Sequence, residues 1–202
     1  MIFLCHLFLK ANRLQIKLFG VRFKISFLFT VYLALITLFD KSGDILYFFA
    51  AALVHEAAHL LTMCFLNSKP MEILLIPGGI NIIGKGATSS FDEFLILLSG
   101  PLCNLICFYS FNGTFSSVSL LLFAYNILPI NGLDGGSMLR ILLSEIFCES
   151  VCKMVINIFT VLFYACLICA FICFFGVGEY YSLIIYSVYM ISVLFLKKLL
   201  KE

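Results

Sequence analysis

Charge is scarce in this chain. Only 12% of its 202 residues are Asp, Glu, Lys or Arg, against 63% hydrophobic residues and a mean hydropathy of +1.13. No hydrophilic stretch is long enough to fold as a second domain. These shortages exclude a soluble globular protein and leave a polytopic membrane protein, read as one domain over residues 1–202. Histidine is scarcer still, with only His6, His55 and His59. Cysteine is plentiful at nine residues but lacks a pattern. Cys166, Cys169 and Cys173 sit inside an apolar run, where cysteine is most simply a small, soft core residue. Cys166-x-x-Cys169 has no second pair and no turn residues between its members, which argues against a metal or redox motif.

What is present is apolar sequence in span-length pieces. Six transmembrane helices are expected, at about 23–39, 45–66, 91–110, 117–143, 155–175 and 180–196. The fourth breaks near 129–136. Lys10, Arg13, Lys17, Arg22 and Lys24 precede the first span, Lys69 and Lys85 follow the second, Arg140 and Lys153 lie before the fifth, and Lys197, Lys198 and Lys201 form the tail. Twelve of the thirteen basic residues thus fall on one side, leaving only Lys41 on the other. That side is the cytoplasm by the positive-inside rule, with both termini on it. Residues 1–9 are apolar but precede the basic residues, the wrong order for a secretory signal. A surface-lying arm is expected there. The segment from Pro70 to Gly84 carries β-branched runs around Pro77-Gly78-Gly79 and reads as a small membrane-associated β-hairpin. The expected fold is therefore an all-α six-helix bundle with one hairpin.

Within the second span lies His55-Glu56-Ala57-Ala58-His59. Residues four apart on a helix share a face, so the two imidazoles can hold one zinc ion. Glu56 can then serve as general base on a water at that ion. With three histidines and seven glutamates, chance produces this pattern on the order of one time in a thousand. A membrane histidine can instead make a helix-packing hydrogen bond. Three ionisable residues on one short apolar stretch argue for function, because such groups are costly at membrane depth.

A catalytic zinc wants three protein ligands and one open position. Of the acidic residues at membrane depth, Asp134 stands out, in Asn126-x-x-Pro129-x-Asn131-Gly132-Leu133-Asp134-Gly135-Gly136. Proline and three glycines cannot continue a clean helix, and broken backbone at membrane depth needs a protein-lined cavity. His59 is about 14 residues into its span and Asp134 about 16 into its own, roughly 21 and 24 Å at the helical rise. The two heights agree. Asp134 also suits a helix cap after a turn. A third cluster, Ser99-Gly100-Pro101-x-x-Asn104, reads as close helix packing rather than chemistry, with Asn104 able to hydrogen-bond across the interface.

These motifs together resemble the site-2 proteases, intramembrane zinc metalloproteases, and within them the compact bacterial branch that includes stage IV sporulation protein FB. The resemblance rests on His55-Glu56-x-x-His59, Gly100-Pro101-x-x-Asn104 and Asn126-x-x-Pro129-x-x-x-Leu133-Asp134-Gly135, with Gly78-Gly79 where the family has its membrane-associated β element. It covers about residues 20–140. The resemblance implies one zinc ion per chain, held by His55, His59 and Asp134, with Glu56 as the base. It also implies that Asn126 lies near the site and helps hold the substrate strand or the developing oxyanion. It implies a bacterial cell-membrane protease cutting membrane-associated proteins in or near a transmembrane segment. Its setting would be regulated proteolysis such as sporulation, releasing a transcription or sigma factor. Membrane regulator proteins are implied as partners, and nucleic acid is not. A PDZ-like insertion and a nucleotide-sensing domain are not expected.

Two other classes fit part of the pattern. A membrane metal-binding protein or transporter also places His and Asp in helices, yet leaves Asn126–Gly136 unexplained. A catalytically dead scaffold has no need to keep His55, Glu56, His59 and Asp134 together.

Overall fold

The computed structural model describes residues 13–18, 21–27, 30–31, 34, 37–38, 40, 43–68, 70–76, 79–84 and 89–175. Strands β1 (Arg13–Leu18) and β2 (Val21–Ser26) alternate polar and apolar residues with period two, which suits a pleated strand with two unlike faces. They pair antiparallel, with Gln15 opposite Lys24 and Ile16 opposite Phe23. Strands β3 (Pro70–Ile76) and β4 (Gly79–Gly84) form the expected hairpin. Parallel pairing of β2 with β3 joins the hairpins into a four-stranded sheet ordered β1-β2-β3-β4. Glu72 lies opposite Arg22, and its carboxylate accepts from Lys24 Nζ at 2.7 Å, neutralising charge inside the sheet.

The sheet is larger than the expected hairpin, and it takes residues 23–26 from the expected first span. Beyond it, Phe27, Thr30, Val31, Ala34, Thr37 and Leu38 are helical. The expected sixth span at 180–196 and the arm at 1–9 lie outside the described residues.

Five helices follow among the described residues: α1 (Asp44–Phe65), α2 (Ser90–Ser110), α3 (Thr114–Asn126), α4 (Asp134–Ser144) and α5 (Glu149–Phe175). Local signals set their starts. The Asp40 carboxylate accepts from the backbone N–H groups of Gly43 and Ile45, tying down the first turn of α1. Ser89 caps α2 by accepting from Asp92 N–H, and Asp92 and Glu93 favour that positive helix end. α1, α2 and residues 149–167 of α5 are long and apolar enough to cross a membrane. Their outward faces agree: Leu53, Leu61 and Phe65 are 60%, 60% and 84% exposed, untenable beside water in such density but natural beside lipid. The molecule is a mostly helical membrane protein.

Two compact units are present, Met1–Ala124 and Tyr125–Glu202. In the first, α1 packs on α2, and Ala51, Val118 and Leu122 form a small core with Phe48, Ala52 and Phe115 around it. In the second, the expected break of the fourth span is present between Asn126 and Asp134. The loop folds back on α4. A Cβ on Gly135 would strike the carbonyls of Ile127 and Leu128, and one on Gly136 the carbonyl of Ile130. Glycine is required here by close backbone approach. Ile130 is 1% exposed, and Asn131 N–H donates to Thr160 Oγ1 on α5, so the break is a built feature.

Because the obstacle at Gly136 is backbone, it cannot swing aside. Gly136→Ala should destabilise the chain by about 1–3 kcal/mol in reversible unfolding from mixed micelles. An unchanged midpoint would contradict the close packing.

Candidate metal centre

α1 buries a single stripe, Ala51, His55, His59 and Met63, spaced by four. That spacing places both imidazoles on the face turned to α2, where they are 5% and 6% exposed. The rings stand edge to face, centroids 4.7 Å apart, and bring their Nε2 atoms within 3.1 Å of each other.

The Nδ1 atoms point the other way, into α2. His59 Nδ1 lies 2.6 Å from the carbonyl oxygen of Ile96. A carbonyl only accepts, so Nδ1 carries the proton and Nε2 keeps its lone pair. Ser99 Oγ supports the same corner, donating to Ile96 O at 2.7 Å. His55 Nδ1 lies 3.0 Å from the Asn104 amide nitrogen, and Asn104 is fully buried. Gly100 lies between these contacts. A Cβ there would collide with Nε2 of both histidines.

The donor chemistry suits zinc. Two nitrogens, each about 2.0–2.1 Å from one tetrahedral ion, stand about 3.3 Å apart. The observed 3.1 Å is close to that span. His59 donates its Nδ1 proton to a backbone carbonyl and turns Nε2 toward the shared space, the usual way a protein fixes a histidine ligand. The missing Cβ at Gly100 leaves room beside both nitrogens.

Glu56 follows His55 on α1 and is half-buried. In the second unit, Asp134 is the first residue of α4, half-buried, and follows an extended Leu133. The helix N-cap is Leu133, not Asp134, and it makes no side-chain cap bond. Asn126 ends α3 at the other side of the break.

Sequence reasoning took Gly100 for close helix approach and Asn104 for a hydrogen bond across a helix interface; both are present, and the groups they meet are the two histidines. Gly100 and Asn104 lie four apart on α2 and face residues four apart on α1, Asn104 against His55 and Gly100 against both rings. That spacing was the available signal, but which helix it met is a tertiary fact.

Gly100→Ala should strip zinc from the purified chain while leaving its helical circular dichroism unchanged. Native zinc content in this variant would contradict the crowded geometry.

No family model and no curated protein matches the chain. A solved structure does: the site-2 protease from Methanocaldococcus jannaschii is 21% identical, with a TM-score of 0.62 over 89% of this chain and 92% of that one. At this identity the likeness is one of architecture, and it gives the chain the fold of a site-2 protease.

Proposed function

We propose that the chain is an intramembrane zinc metalloendopeptidase of the site-2 type. The carrying observation is the His55–His59 pair, anchored through Nδ1 with its Nε2 atoms together, inside a helix apolar enough to cross a membrane. The shared fold supports the same reading. In this proposal His55, His59 and Asp134 hold one zinc ion, each offering one ligand atom, an imidazole nitrogen or a carboxylate oxygen. A zinc ion there would supply a Lewis acid and lower the pKa of a water toward about 7.

The chain's own residues would do the rest. Glu56 takes the proton from the attacking water and returns it to the leaving amine nitrogen as the peptide bond breaks. Asn126 holds the substrate strand or the oxyanion that develops on the scissile carbonyl. The apolar surroundings of α1 keep bulk water away, so these charges act in a low dielectric. The substrate is a membrane-embedded or membrane-associated protein cut in or near its transmembrane segment, which releases a soluble regulator such as a transcription factor. Membrane proteins that gate substrate entry belong to the same proposal. So does the placement of the site toward the cytoplasm, with both termini on that side.

Glu56→Gln keeps shape and removes the base. It should lower cleavage of a co-reconstituted single-span protein by at least about 100-fold while zinc content stays native. Retained cleavage would sink the protease reading. Metal flux into proteoliposomes, unaltered by this substitution, would favour a transporter instead.

A further inference from the structure

Asn104 is fully buried on α2, with its amide nitrogen 3.0 Å from His55 Nδ1. Its Oδ1 is also buried and has no hydrogen-bond partner among the described residues. Such an atom calls for an explanation in a well-packed interior. The explanation lies in which ring nitrogen carries the proton.

With the amide nitrogen toward the ring, Asn104 donates to His55 Nδ1. The proton of His55 is then on Nε2, from which it is donated to His59 Nε2, 3.1 Å away. His59 in turn donates from Nδ1 to Ile96 O. The bonds run in one direction, from Asn104 through both rings to Ile96. In that arrangement His55 has no lone pair at Nε2, and a metal ligand needs one. With Oδ1 toward the ring the polarity reverses. His55 Nδ1–H donates to Oδ1, and Nε2 becomes a bare lone pair. An Asn side chain exchanges these two atoms by a half-turn of its amide, at almost no change in shape.

We propose that Asn104 is a positioning residue that sets the tautomer of His55 by turning its amide. Nδ2 faces the ring when the histidines bond to each other, and Oδ1 faces it when they bind metal. The ring gains a proton on Nδ1 and loses one from Nε2, so its net charge is unchanged. The partnerless Oδ1 is the acceptor held for the second arrangement. This proposal rests on the zinc reading of the histidine pair.

The test is zinc affinity of the full chain in detergent, measured by competition with a chelator of known strength. Asn104→Leu keeps the bulk and removes both amide atoms. It should weaken zinc binding by about 10- to 100-fold. Asn104→Asp leaves an acceptor facing Nδ1 and should bind at least as tightly as the native chain. Native affinity in the Leu variant would overturn the proposal, and so would equal losses in the Leu and Asp variants, since that pattern marks a packing role. A native chain that takes up no zinc at all would overturn the metal reading itself, and this proposal with it.

Discussion

Two imidazoles are withdrawn from solvent on one helix face, and all four of their ring nitrogens need suitable surroundings. Much of the first unit follows from that requirement. A neutral histidine presents one donor and one acceptor, and burial without partners is costly. Helix α2 answers with a carbonyl from Ile96 for His59 and an amide from Asn104 for His55. For the helices to approach closely enough, the residue between must be glycine, and Gly100 is. The polar groups therefore lie inside the packed unit, and Leu53, Leu61 and Ile106 lie outside. This inverted pattern is stable only where the surroundings are lipid, with no water outside to satisfy the ring nitrogens.

The second unit meets a different difficulty. A helix interrupted at membrane depth leaves backbone groups that must be satisfied internally. The chain closes the gap with its own backbone and with Thr160. Gly135 and Gly136 let the first turn of α4 lie directly on the 127–130 segment, and buried Ile130 anchors it. The carboxylate of Asp134 is thereby held at the start of a rigid helix rather than on a loose loop. A precisely held carboxylate suits a ligand, because metal geometry tolerates little drift in its donors.

The legible parts of the sequence were those governed by short-range periodicity. The four-residue spacing of His55 and His59 fixes a shared helix face, and Pro129 with the following glycines fixes a break. The Pro77-Gly78-Gly79 turn signalled the β3–β4 hairpin. The β1–β2 pair was missed although its alternation is clear. Arg13, Lys17, Arg22 and Lys24 counted toward topology, and the same residues are the polar positions of two strands. The parallel joining of β2 to β3 depends on contacts across 50 residues of sequence (Arg22 to Glu72), which no local pattern encodes. The partner of Asn104 was hidden for a similar reason, although a hydrogen bond across the helix interface was expected. A buried Asn in a small-residue helix segment looks the same whether it bonds a neighbouring backbone or an imidazole on the next helix. Only the antiparallel register of α1 and α2 separates the two.

The central claim is that one zinc ion is bound by nitrogen and oxygen donors in a chain that also carries nine cysteines. Zinc K-edge X-ray absorption of the purified, zinc-loaded chain measures this directly. The account predicts a single four-coordinate site with two imidazole nitrogens at about 2.0–2.1 Å and oxygen neighbours completing the shell. A sulfur shell at about 2.3 Å, or a spectrum without imidazole scattering, would contradict it.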